Sequence, residues 1–176
     1  MNRFSRHRES GFTLIEALIA LFIVMIGLLG VAGMQALAIH NSTQAHIRSQ
    51  ASLDAHSLAS IIRSNHAYWT AATAPGTVNI AVSGVTQSSL AATTDCSTTN
   101  CTAAESAAYS LNDWAKVLQD LPSGTTATIT RAAVAGTAPS AYRVTLQWSE
   151  KNMMAKNQGV LAASTATAST SVVVQP

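Results

Sequence analysis

The chain has 176 residues, of which 48% are apolar and only 10% charged. That balance excludes a charged disordered chain and leaves room for one modest domain plus an appended segment. The formal charge of +2 sits at one end: Arg3, Arg6 and Arg8, set against Glu9, lie ahead of position 11 and leave a neutral remainder, which gives no electrostatic footprint for nucleic acid.

The first element is an apolar run. From Ala17 to Met34 there is no charged or strongly polar side chain. A helix rises about 1.5 Å per residue, so roughly 20 such residues cross a hydrocarbon core. Arginines cluster before the run, and the next one follows only at Arg48. The positive-inside rule then places the N-terminus in the cytoplasm and everything after Met34 outside. A secretory signal cut after Ala36-Leu37-Ala38 is one reading, but its apolar region exceeds the usual ~7–15 residues. A plain uncleaved anchor is another, and it leaves Glu16 without a purpose. A carboxylate in a membrane segment is costly and marks a functional site.

The stretch GFTLIEAL, Gly11 to Leu18, resembles the type IV prepilin signature. The resemblance implies cleavage after Gly11 by a prepilin peptidase on the cytoplasmic face and methylation of the new Phe12 amine. Phe12 and Glu16 are i and i+4, which puts them one turn apart on one helix face. A carboxylate in an apolar environment is tolerable when paired. The resemblance implies that Glu16 neutralises the Phe12 ammonium of a neighbouring subunit in a filament. A self-pair that eases membrane insertion is the alternative. Gly27, Gly30 and Gly33 follow at three-residue steps. They suit close helix packing, although not at GxxxG spacing, and they weaken a helix by about 1 kcal/mol each. Local unwinding in a filament and packing alone both account for them.

From Gln35 to about Tyr68 there is no Gly or Pro, and the helix is expected to continue. Ile47, Ala51, Ala55, Leu58 and Ile62 form an amphipathic stripe, with Gln44, Arg48, Gln50, Asp54 and Arg63 at the other positions. His40, His46, His56 and His66 never pair at i, i+3 or i+4, so they build no two-histidine metal face and read as solvated. The helix is expected to end near Trp69, before Pro75-Gly76. TVNIAVSGV alternates weakly, as a short strand would, and Gln87 to Ala108 is turn-like.

Cys96 and Cys101 lie in that stretch with four residues between them, and outside the cytoplasm they read as a disulfide. A metal site needs more ligands, and a redox pair is more often C-x-x-C. In SLNDWAKVLQDLPSG, Ser110 and Asp113 read as an acidic capping box. Leu111, Trp114, Val117, Leu118 and Leu121 form the apolar face, and Pro122 and Gly124 end the helix. TATITRA and YRVTLQW alternate with period 2, the latter with Tyr142, Val144, Leu146 and Trp148 on one side. TSVVVQP closes the sheet.

The fold expected is α+β: a long N-terminal helix, transmembrane in its first half, packed on a small antiparallel sheet. The prepilin resemblance identifies this arrangement as the pilin fold. The domain plan is a basic leader at 1–11, a transmembrane assembly helix at 12–34, its amphipathic continuation at 35–70 and a periplasmic globular α+β region at 71–176. MIGLLGVAGMQ, LNDWAKVLQDLPSG and VTLQWSE further resemble the PilV family of minor pilins, the type IV pilus modification proteins. That resemblance implies a low-abundance subunit joining other minor pilins and the major pilin in a tip complex that primes assembly, with a tip adhesin as a further partner. It implies an inner-membrane location followed by the pilus, and no cofactor. A minor pseudopilin of type II secretion shares the signature and is the alternative. No Ser-His-Asp order, phosphate loop or metal cluster points to an enzyme. Asp113 and Asp120 read as cap and surface charge.

Overall fold

The computed structural model describes residues 11–71, 73–91, 94–132, 141–151 and 165–176. The basic leader ahead of Gly11 and the connection from 152 to 164 lie outside the described residues. The chain divides into two units, Met1–Thr43 and Gln44–Pro176.

The first unit holds the apolar start of helix α1, which runs from Leu14 to Ser64 over 51 residues. The helix is unbroken through Gly27, Gly30 and Gly33. Each added turn gains hydrogen bonds at little further cost, so a run rich in Leu, Ile and Ala absorbs three glycines.

In the second unit, the remaining turns of α1 bury one face. Ala51, Ala55, Leu58, Ala59 and Ile62 are almost fully enclosed, as the three- and four-residue stripe dictates. Asp54 is enclosed with them, 6% exposed, against the expectation of a solvated position. It lies one residue before Ala55 and three after Ala51, within the angular width of the buried face. His46, His56 and His66 are exposed and His40 half-buried.

The helix stops at Ser64, where Asn65 leaves the helical conformation, and a single turn, α2 (His66–Trp69), follows. Asn65 is itself buried: its amide donates to Ile61 O (3.0 Å), and its Oδ1 accepts from Ser106 Oγ (3.0 Å).

Five strands make one antiparallel sheet in the order β2-β1-β3-β4-β5. They are β1 (Thr77–Ala81), β2 (Gly84–Val85), β3 (Thr126–Ala132), β4 (Ala141–Lys151) and β5 (Thr165–Val174). TVNIAVSGV is therefore a hairpin rather than one strand, with Ala81 opposite Gly84. The closing strand begins at Thr165, five residues before TSVVVQP, and pairs ten residues of β4, from Tyr142↔Val174 to Lys151↔Thr165. Its Thr-Ala alternation carries little hydrophobic contrast, so β4 supplies the register.

The alternation in β4 behaves as expected. Tyr142, Val144, Leu146 and Trp148 are buried, whereas Arg143 and Gln147 are exposed. They join Val78 and Ile80 of β1, and Ala127 and Ile129 of β3, in one core with the buried face of α1.

Helix α3 spans Ala103–Ala115 and continues as a 3-10 segment, Lys116–Asp120. This corrects two expectations. The stretch up to Ala108 is not wholly turn, and Ser110 with Asp113 does not cap the helix. The true N-cap is Thr102, whose hydroxyl accepts from Glu105 N while Glu105 Oε2 accepts from Thr102 N (2.8 Å). That is a capping box eight residues upstream, and the intervening alanines favour the helix. Ser110 instead donates to Ser106 O inside the helix (2.8 Å), and Asp113 pairs with Lys116 (2.8 Å).

A polar knot ties the end of α2 to the sheet. Tyr142 Oη, fully buried, donates to Trp69 O (2.8 Å) and accepts from the Arg131 guanidinium (3.0 and 3.2 Å). The same guanidinium reaches Ala74 O (3.1 Å), and Arg131 N donates to Gly76 O (2.7 Å). Backbone carbonyls released where the helices end thus find donors.

Candidate assembly segment

Gly11, Phe12 and Thr13 precede α1. The first carbonyl to accept is that of Thr13, from Glu16 N (3.1 Å) and Ala17 N (3.3 Å). The helical face expected to join Phe12 and Glu16 is therefore not formed at Phe12, which lies outside the first turn. A helix start leaves its leading N–H groups without carbonyl partners, and the turn closes only from Thr13 onward. Glu16 stands in the first turn, where the helix dipole favours a negative charge. Gly11 is exposed, and nothing lies within 4 Å of the position a Cβ would take there.

Behind this start, the helix surface is apolar on every side. Phe12 is 71% exposed, Leu14 80% and Leu29 74%, and every large apolar residue from Ile15 to Met34 is at least half exposed. Helix α1 is long and apolar enough, by length and composition, to cross a membrane. An all-round apolar helix of this kind needs lipid or other apolar helices to cover it. Nothing lies within 4 Å of where a Cβ would stand at Gly27, Gly30 or Gly33. The glycines leave shallow places on the helix surface into which another helix can settle.

In the second unit Cys96 and Cys101 are bonded, with Cα atoms 5.6 Å apart. The enclosed turn is fixed from both ends. Asp95 Oδ1 accepts from Ser97 N (2.9 Å) and Ser97 Oγ (2.6 Å), and these bonds, the hydroxyl's first, hold its carboxyl below the ordinary carboxylate range. Directly after Cys101 comes the Thr102 cap. Glu105 is also held low, first by the Thr102 N–H, then by the Thr102 and Thr94 hydroxyls. Among the described residues, no group of three His, Cys, Asp or Glu side chains could hold a metal ion.

Two ionic features escape the sequence. Arg48 grips Glu150 across 102 residues of chain, and hydrophobic periodicity carries no signal for that pairing. Asp54 enters the core because its angle on the helix, and not its charge, decides which way it points.

Residues 6–32 match the family model described as the prokaryotic N-terminal methylation motif. No curated protein and no solved structure matches the chain. The motif spans a minor part of the sequence. It marks a prepilin-type signal and indicates a type IV pilin or pseudopilin, a class of structural subunits processed by prepilin peptidase and assembled with other pilins. The α+β fold, with α1 packed on a five-strand antiparallel sheet, is pilin-like.

Proposed function

We propose that this chain is a minor type IV pilin. Prepilin peptidase cleaves it after Gly11 and methylates the Phe12 amine. The processed subunit rests in the inner membrane, with its N-terminus facing the cytoplasm and its α+β domain in the periplasm. It then joins other minor pilins and the major pilin in a tip complex that primes the fibre and presents an adhesin. The role is structural, not enzymatic.

One observation carries this reading: the Gly11–Phe12 step and Glu16 stand at the head of a helix whose apolar side chains remain uncovered as far as Met34. Uncovered apolar area costs about 25 cal/mol per Å² in water. Lipid removes that cost before assembly and neighbouring helices remove it afterwards. Glu16 then has a use, because cleavage creates an ammonium that must be neutralised in an apolar bundle. The similarity of LNDWAKVLQDLPSG and VTLQWSE to the PilV family supports the minor, tip-forming assignment.

The test is the N-terminus of membrane-extracted protein, by intact mass and terminal peptide, in cells with and without the peptidase. A methylated Phe12 that depends on the peptidase is expected. An intact Met1, or a start after Ala38, in peptidase-positive cells overturns the reading. Deletion of the gene should then abolish surface piliation and twitching. Lost protein secretion with normal piliation would assign the chain to a type II secretion system instead.

A further inference from the structure

The disulfide turn and the start of α3 share one carboxylate. Glu105 Oε1 accepts from Thr94 Oγ1 (3.1 Å), and its Oε2 accepts from Thr102 N (2.8 Å) and Thr102 Oγ1 (2.7 Å). Thr94 lies two residues before Cys96, and Thr102 directly follows Cys101. The Cys96–Cys101 bond and the Glu105 carboxylate therefore close the same turn of chain, one through sulfur and the other through hydrogen bonds. Thr102 reaches Glu105 from within one helical turn, as in any capping box. Thr94 stands eleven residues from Glu105 along the chain, with the cysteine turn between them. The other bonds of that turn, from Ser97, Thr98 and Thr99 to Asp95, are exposed, so water competes for each of them. The disulfide is the constraint that keeps Thr94 beside Glu105.

Glu105 in turn stands at the corner between α3 and α1. One residue further, Ser106 N donates to Thr102 O (2.9 Å), and Ser106 Oγ donates to Oδ1 of Asn65 (3.0 Å), the buried residue just past the end of α1. Ala107 and Ala108 follow in the core. The far end of α3 is fastened separately, where Trp114 Nε1 donates to Ser57 Oγ of α1 (2.7 Å).

We propose that Cys96 and Cys101 work as a redox-operated clasp on α3. The disulfide form docks the first turn of α3 against the end of α1 through Thr94 and Glu105, and the dithiol form releases it. On closing, the two thiols give up two protons and two electrons to the disulfide of a thiol–disulfide exchange partner, which leaves as a dithiol; opening is the reverse. Both cysteines are half-buried and residues 97–100 between them are exposed, so an attacking thiolate has access to the turn. The clasp goes beyond the pilin assignment and operates whichever assembly the chain serves.

Hydrogen exchange of the full chain in detergent, with the disulfide intact and after reduction by a phosphine, tests this. Reduction should lower protection about tenfold or more at the amides of Ser106 to Tyr109, because so short a cross-link removes chain entropy from the open state. The amides of Val144 and Leu146 in β4 should be unchanged, and reoxidation with glutathione disulfide should restore the α3 pattern. Thr94→Val, with the disulfide intact, should lower protection at the same α3 amides, and reduction should then add little. Equal protection in the oxidised and reduced chains overturns the proposal. So does a reduction effect as large in Thr94→Val as in wild type, or one spread evenly over α3 and β4.

Discussion

Arg48 and Glu150 meet in a two-pronged ion pair, Nε to Oε1 at 2.9 Å and Nη2 to Oε2 at 2.7 Å. It joins α1 to the far end of β4, and Trp148 Nε1 adds a third bond to the same carboxylate (3.0 Å). Arg48 is exposed and Glu150 nearly enclosed, with side-chain exposures of 63% and 12%. The parallel geometry fixes direction as well as charge.

The Arg48 hydrogen bond is the main cause holding Glu150 below the ordinary carboxylate range, against the burial that would raise it. A lowered folded value contributes stability that is present above the unfolded value of ~4.3 and is lost as pH falls through the folded value. Glu150→Gln should therefore lower the melting temperature at pH 7 and make progressively less difference as pH falls through the lowered folded value of Glu150. Thermal unfolding of the full chain across that range checks this. An equal deficit at both ends would mean that packing, not charge, is what the substituted amide fails to supply.

Tyr142→Phe tests the polar knot. The ring is fully buried and stacks edge-on against Trp69, with centroids 5.0 Å apart, so a phenyl group fills the same space. What disappears is the donor to Trp69 O and the acceptor for Arg131. Leaving buried groups unpaired costs about 1–3 kcal/mol. Chemical denaturation should show a lower midpoint with an unchanged slope. Stability equal to wild type would show that water or Arg131 rearrangement satisfies Trp69 O.

Gly84 and Gly124 form a matched pair. Both have positive φ, +112° and +84°, but a Cβ at Gly84 would lie 2.7 Å from Asn112 Oδ1, while nothing lies within 4 Å at Gly124. Asn112 closes the edge of β2 by accepting from Val85 N (3.1 Å), and it donates to Leu90 O and Ala108 O. Gly124→Ala should cost about 1–2 kcal/mol of backbone strain alone. Gly84→Ala should cost about 2–4 kcal/mol, because Asn112 must also give way. Equal losses in paired denaturation curves would remove Asn112 from the explanation.

The parts of this fold that can be read from sequence are those in which one chain segment decides its own state. The alternation of Tyr142, Val144, Leu146 and Trp148, and the stripe from Ala51 to Ile62, are local patterns with large hydrophobic contrast. The start of β5 is not legible, because Thr165 to Ser169 alternate threonine, alanine and serine and take their register from β4. The onset of α3 is written as Thr102-x-x-Glu105 but is hidden in a Ser/Thr-rich stretch that also suits turns. The Arg48–Glu150 pair depends on which elements the folded chain brings together. The N-terminal methylation motif over residues 6–32 is legible because its signal is linear. Gly11 and Phe12 stand ahead of α1 and Glu16 in its first turn, as set by where the helix first closes.

Glu16→Gln addresses the proposed role of that carboxylate directly. Glutamine keeps the shape and hydrogen-bonding capacity but cannot neutralise an ammonium. Gly11 and Phe12 are unchanged in this variant, so cleavage and Phe12 methylation should match wild type, the terminal peptide differing in mass only by the substitution itself. In an apolar bundle, removing one partner of a buried ion pair costs about 3–5 kcal/mol. At about 1.4 kcal/mol per tenfold, that corresponds to a fall of roughly 100-fold or more in incorporation. Quantifying the chain in sheared surface filaments, against an unchanged membrane pool, measures it. Normal incorporation of the glutamine variant would leave Glu16 with no more than an insertion role, as a self-pair with Phe12 of its own chain.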